Sequence, residues 1–180
     1  MIRLEKFSEE DFTQLIGWIN NERLLMNWAG SLFSYPLTQR SLEWYIDDTN
    51  IKGVSDAFVY RAVEEKTGNV VGHISIGGLS WKNRSARISR VFVSEKGKGY
   101  CIAMMKEAIR IGFEELGLHR IGLGVYSDNI AAVKCYEKAG MQQEGLQRDV
   151  LLYEGEFWSM IEMGILEDDW RSLVAGRDFH

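Results

Sequence analysis

Apolar positions along the chain follow two periods, and the changes of period mark out successive elements. Arg3 to Phe7 alternates as a short strand. Ser8-Glu9-Glu10-Asp11 follows, a serine N-cap with acids in the first turn, and Phe12, Leu15, Ile16 and Ile19 then fall at helical spacing. Asn27 to Pro36 has turn chemistry broken by Trp28, Phe33 and Tyr35. Thr38 then caps a second helix with Leu42, Tyr45 and Ile46 on one face. Three strands come next: Ala57 to Val63, Val70 to Leu79 and Arg84 to Val93, joined by the polar turns Glu65–Asn69 and Lys82–Asn83. Ile102, Met105, Ile109, Phe113 and Leu116 form a 3.6-residue stripe on a helix from about Cys101 to Leu116, which Gly117 ends. A strand from His119 to Tyr126 and a helix from Asn129 to Ala139, closed by Gly140, come before a hairpin from Met141 to Leu166 around Glu154-Gly155. Leu173 to His180 reads as a loose tail.

This order predicts one α/β domain over residues 1–180, with seven strands and four helices. The first strands form a meander, so they pair antiparallel. The later strand-helix-strand units call for a parallel or mixed part.

Composition changes this picture little. With 46% hydrophobic and 26% charged residues in 180, the chain can bury a core and stay ordered. A net charge of −5 disfavours nucleic acid, whose footprint is basic, and tolerates a cationic acceptor. The first ten residues lack the apolar stretch of a signal peptide, and no run of about 18 apolar residues exists to span a membrane. Cys101 and Cys135 have no metal-ligand partners nearby, so they read as free, buried thiols in a reducing compartment, and the cytoplasm is the expected location. No metal site is expected.

The chemistry begins at Val91-Phe92-Val93-Ser94-Glu95-Lys96-Gly97-Lys98-Gly99-Tyr100, where an apolar strand runs through two glycines into a helix. Glycines let backbone N–H groups converge, and a helix N-terminus adds partial positive charge, which together suit a pyrophosphate. A tight strand-to-helix turn would look the same. A dinucleotide-fold fingerprint is excluded by context, because the loop follows the fourth strand and position 102 is isoleucine. No Lys-Ser or Lys-Thr pair follows, so it is not a Walker loop either. The second signal is Ser127-Asp128-Asn129 opening a small-residue helix with Tyr136 seven residues later, which puts both side chains on one side of that helix. A helix cap and a core tyrosine would explain that segment by itself.

Taken together, Lys96-Gly97-Lys98-Gly99-Tyr100, Asn129 and Tyr136-Glu137-Lys138-Ala139-Gly140 resemble the GNAT superfamily of acyl-CoA N-acyltransferases. Gly145-Leu146-Gln147-Arg148 and Gly155-Glu156-Phe157-Trp158 through Met163 support the likeness. It looks closest to the branch holding the ribosomal-protein alanine acetyltransferases and many small-molecule acetyltransferases. The resemblance implies a mixed sheet of about seven strands with a splay between the fourth and fifth. It implies acetyl-CoA as cofactor and a small amine or a protein N-terminus as acceptor, and by itself suggests a homodimer. It assigns Phe92 and Val93 to main-chain bonds with the pantetheine, and Lys96, Gly97, Lys98, Gly99, Tyr100, Cys101 and Ile102 to the pyrophosphate. Asn129 would contact the cofactor and Tyr136 would sit near the thioester sulfur as the catalytic residue. The chain departs from the pattern at Lys96, where Gln or Arg is usual, at Cys101, where Gly or Ala is usual, at Met141, a common phenylalanine, and at Gly124, where some relatives carry a glutamate base.

The expected reaction is direct attack of the amine on the thioester, with a backbone N–H of the fourth strand stabilising the oxyanion and Tyr136 assisting the departing thiolate. Without a glutamate at 124, amine deprotonation is the open step. A lysine-like amine is neutral in only about one part in 2,500 at pH 7, an α-amine in roughly one in ten. His73 is an alternative base, although a histidine on a sheet face is the plainer reading, and Asp128 is a second. Trp28, Phe33, Tyr35, Trp44 and Tyr45 could wall the acceptor or pack two helices on the sheet. An acyl-CoA-binding sensor without chemistry is the other function class this sequence allows.

Overall fold

The computed structural model describes residues 1–176. Seven strands form one sheet: β1 (Ile2–Lys6), β2 (Phe58–Glu64), β3 (Val70–Ser80), β4 (Ser85–Val93), β5 (Arg120–Tyr126), β6 (Gln142–Tyr153) and β7 (Glu156–Leu166). Their order across the sheet is β1-β2-β3-β4-β5-β7-β6. All neighbours are antiparallel except β4 and β5, which run parallel, as the strand-helix-strand pattern requires.

Six helices cover the sheet. α1 (Phe12–Trp18), α2 (Glu22–Ala29) and α3 (Gln39–Ile46) lie on one face, and α4 (Tyr100–Arg110), α5 (Ile130–Lys138) and α6 (Glu167–Ala175) on the other. Strand alternation supplies both faces. Ile74, Ile76, Ile121 and Leu123 point into the core under Met104, Met105 and Ile109 of α4. Val59 and Phe7 point the other way, beneath Phe12, Leu25 and Leu42. A π-helical turn, Ile111–Glu115, extends α4 to the place where its apolar stripe ends.

Two helices beyond the expected four are present. α2 occupies part of the segment read as turn: Asn21 caps it by accepting the Leu24 N–H at 2.8 Å, and Gly30 at φ 58 ends it. Leu25 and Trp28, three residues apart, form its buried face, so with Asn21 as cap the signal was present in the sequence and passed over. α6 overrides the expected tail from Leu173 to Ala175, its Trp170 packing on Phe113 at 5.6 Å. Gly176 caps the C-terminus of α6, and residues 177–180 of that tail lie outside the described residues.

The cysteines depart from expectation more sharply. Cys101 and Cys135 are bonded to each other rather than free. The first turn of α4 and the second turn of α5 meet with their Cα atoms 6.4 Å apart, within disulfide range. Residues 34 apart in sequence are brought together by the crossover through β5, which no local pattern announces.

The feature that positions the site is where β4 and β5 part. They pair only at Ser85–Arg120, Ala86–Ile121 and Arg87–Gly122, yet β4 runs on to Val93 and β5 to Tyr126. Beside the opening, the β3–β4 register slips between His73 and Ser75, and Arg90 sits at φ 52. Such a bulge bends its strand.

Candidate active site

Two clefts open at the wedge between β4 and β5. The first, about 430 Å³, is walled by Val91, Phe92 and Val93 on β4 and by Ala132, Cys135 and Tyr136 on α5, with Lys96, Gly97 and Gly99 at its mouth. The second, about 390 Å³, is bounded by Arg90 on β4, Gly124 and Tyr126 on β5, and Met160 on β7. Asn27, Trp28, Val91, Asn129 and Tyr136 line both. A group held in one cleft can therefore meet a group held in the other at these residues.

The mouth of the first cleft is built for an anion. Gly97 and Gly99 both have φ 78, a conformation that L side chains rarely adopt. Gly99 caps α4 with no side-chain hydrogen bond, which leaves the first-turn N–H groups free to take a ligand. Lys96 adds a charge at the rim. Lys98 does not line the cleft; its ammonium lies 4.0 Å from the Glu95 carboxylate. Tyr100 lines the cleft, and its hydroxyl donates to Glu64 at 3.2 Å. Phe92, Val93, Cys101 and Ile102 line the cleft. Sequence reading passed over Lys134 and Lys138, two more cations on this wall, although their i, i+4 spacing on α5 was a readable signal.

Asn129 serves its capping role, accepting the Ala132 N–H at 3.3 Å, and its amide donates to Asn27 at 3.4 Å. Tyr136 is 7% exposed, and burial pushes its hydroxyl pKa well above the ordinary tyrosine value. It keeps its proton at neutral pH and can act only as an O–H donor of usable strength.

Gly124 has a structural cause. A Cβ there would collide with the Met160 sulfur and approach the Arg87 guanidinium at 3.3 Å. The methionine thus fills the place where a side chain at 124 would stand. The residue directly across from Gly124 on β7 is Glu162, whose carboxylate is held by Arg87 in a two-point pair at 3.0 and 3.1 Å.

Of the aromatic candidates for the acceptor wall, Trp28 alone lines the cleft among the described residues. Its indole N–H donates to the Arg90 carbonyl at 2.9 Å. Phe33, Tyr35 and Trp44 border a separate shallow groove, and Tyr45 packs in the core beneath α3.

His73 is not placed to be a base. It is 1% exposed and lines neither cleft, with Phe7 edge-on at 4.6 Å and its Nε2 3.1 Å from the Tyr45 hydroxyl. Its Nδ1 has no partner among the described residues. Burial, helped by the Arg90 charge, lowers its pKa to about 3, so it is neutral in the fold. The unfolded chain binds this proton below about pH 6.5 and the folded one does not. Stability is therefore complete above that value and falls as pH drops toward 3, by about 1.4 kcal/mol per unit. Between pH 7.5 and 5 the loss from His73 is expected to be about 2 kcal/mol. Urea unfolding at both values should show His73→Gln losing that much less than wild type; equal losses would mean His73 is not the cause.

Comparison with known proteins converges with this geometry. Residues 2–142 match the acetyltransferase (GNAT) domain model. A Bacillus subtilis (strain 168) N-acetyltransferase of uncharacterised substrate is 32% identical, the match covering 83% of this chain and 77% of that one. A second protein of that organism, provisionally named a ribosomal N-acetyltransferase, is 27% identical over 93% of this chain and 90% of its own. The spermidine N-acetyltransferase of Vibrio cholerae, solved in complex with CoA and spermine, has the same fold: TM-score 0.80 at 21% identity, covering 94% of this chain and 98% of that one.

Proposed function

The chain belongs to the GNAT acetyltransferase family, whose members transfer an acetyl group from acetyl-CoA to an amine, and from that premise we propose how its own residues carry the transfer. Acetyl-CoA supplies the thioester. The first cleft takes the cofactor, with its pyrophosphate at the α4 N-terminus between Gly97 and Ile102 and its pantetheine arm along the unpaired edge of Phe92 and Val93. The second cleft takes the acceptor. The observation that supports this reading best is that both clefts end on Val91, Asn129 and Tyr136, at the point where β4 and β5 separate.

In this arrangement the amine attacks the thioester carbon directly, with both substrates bound. With acetyl-CoA bound, a backbone N–H of β4 would face the thioester carbonyl oxygen and the Tyr136 O–H would donate to its sulfur. Thiols titrate near about 8.5, far below this buried tyrosine, so the hydroxyl stabilises the thiolate by a hydrogen bond and does not surrender its proton to it. Among the described residues no carboxylate lines the acceptor cleft, so the amine proton leaves through water. That route suits an amine of low basicity. Within the family we place the chain in the branch that holds ribosomal-protein and small-molecule acetyltransferases, supported by the 27% identity to the Bacillus protein.

The test is thiol release from acetyl-CoA across amino acids, polyamines, aminoglycosides and peptides with a free N-terminal Ala or Ser. Release with at least one acceptor, and a mass gain of one acetyl group on it, is expected. Acetyl-CoA binding with silence across the panel would count against transfer, and loss of acetyl-CoA binding would overturn the assignment of the glycine loop.

A further inference from the structure

The acceptor cleft differs in sign from the rest of the molecule. The whole chain carries a net charge of −5. Among the described residues, the charged residues in the lining of the cleft are Arg87 and Arg90, with no aspartate or glutamate. A cleft shaped for a polyamine needs carboxylates to receive the second and third ammonium groups. This one presents guanidinium instead.

The two arginines are not equivalent. Arg87 is satisfied, its fork closed on Glu162 at 3.0 and 3.1 Å. Arg90 has no carboxylate partner among the described residues. Its Nε donates to the Tyr45 hydroxyl at 3.3 Å, and its guanidinium carbon sits 5.2 Å from the centre of the Tyr45 ring. A half-buried guanidinium with a neutral hydroxyl as partner is an unfinished ion pair, and a planar fork is the group best shaped to receive a carboxylate through two parallel hydrogen bonds.

Arg90 is also held in place. It sits at φ 52, a left-handed conformation uncommon for a residue with a side chain, at the β4 bulge beside the opening. A bulge turns its side chain off the regular alternation of the strand. The Trp28 indole fixes the Arg90 carbonyl, and the Tyr45 hydroxyl, itself 3.1 Å from His73 Nε2, fixes the Nε. Backbone and side chain are thus both fastened before any ligand arrives, which lowers the ordering cost of binding.

We infer that the acceptor is a small amine carrying its own carboxylate, of the α-amino acid class, and that Arg90 receives that carboxylate while the amine points toward Tyr136. The inference rests on the reading of the second cleft as the acceptor site. A cavity of about 390 Å³ accommodates a molecule of that size, and its walls offer Trp28, Val150, Leu151 and Met160 to an apolar side chain. A polyamine would bring its extra positive charges against Arg90 with no anion to absorb them.

The experiment measures kcat/KM at saturating acetyl-CoA for the twenty L-amino acids, their carboxamides and spermidine, with wild type, Arg90→Gln and Arg90→Lys. The best amino acid should exceed its own carboxamide by at least about tenfold, an order typical of one charged partner lost from a site. Arg90→Gln should abolish that margin by raising KM for the amino acid, and Arg90→Lys should restore part of it. Acetyl-CoA binding by calorimetry reports whether each variant is folded, and the wild-type comparison needs no variant. A carboxamide or spermidine used as well as or better than every amino acid, or a margin that survives Arg90→Gln, overturns the inference and leaves the transferase reading intact. No turnover of any acceptor overturns both.

Discussion

Tyr136→Phe is expected to lower kcat by about 10²–10³-fold, the range for losing one hydrogen bond to developing negative charge, while KM for acetyl-CoA changes less than about threefold. The ring is buried at the junction of the two clefts, so removing the hydroxyl alone leaves packing and both binding surfaces as they are. The lost interaction is made to sulfur as it gains charge, and an interaction that strengthens only in the transition state appears in kcat. Because burial holds the tyrosine pKa above its usual value, the pH–rate profile of wild type should show no limb from this residue between pH 6 and 9. Steady-state kinetics with any acceptor that turns over checks both points. A variant with normal kcat would remove Tyr136 from the chemistry, whatever its position.

Gly72→Ala is expected to be the most damaging single methyl group that can be added near the site. Its Cβ would stand 2.7 Å from the Phe92 carbonyl oxygen, 3.0 Å from the Met104 sulfur and 3.4 Å from the Ala62 Cβ. The methionine can swing aside. The carbonyl belongs to β4 itself, across from Gly72 and His73 in the ladder, so relief comes only by pushing β4 toward the wedge. Overpacking of this kind costs about 1–3 kcal/mol. Phe92 and Val93 form the wall of the cofactor cleft, so acetyl-CoA affinity should fall about tenfold as well. Gly17→Ala in α1 is the control: nothing lies within 4 Å of its added carbon, and alanine favours a helix by up to about 1 kcal/mol. Urea unfolding and calorimetric titration of both variants make the comparison. Equal stability of the two would mean that β4 yields without cost.

What could be read from the chain was whatever lies within a turn or two of itself. The stripe from Ile102 to Leu116 reports which side of its helix is buried, because burial there recurs with the helix's own period. Thr38 and Asn129 act as helix caps, since a cap needs only the N–H three residues on. The glycine loop was legible for the same reason: Gly97 and Gly99 answer to backbone angles at their own positions. Lys98, inside the same motif, fell outside the cleft, because side-chain direction on a loop depends on neighbours such as Glu95. The short helix α2 escaped notice although its Asn21 cap and its Leu25–Trp28 spacing were local signals, and the terminal helix α6 is held by Trp170 against a distant phenylalanine.

By itself, then, the sequence determined the seven strands and four of the six helices among the described residues, the double-glycine turn before α4 and the placing of Asn129 and Tyr136 on one helix side. Tertiary structure decided the rest. It set the parting of β4 from β5 after three ladder pairs, the bond between Cys101 and Cys135, and the thioether of Met160 over Gly124. It also brought Glu162 onto Arg87 at the second cleft and left Arg90, at a β4 bulge in the same lining, without a carboxylate partner among the described residues. The physical reason is register. Which side chains share a cleft depends on how residues far apart in the chain align across neighbouring strands, and a slip of one residue in that alignment sends a side chain to the opposite face.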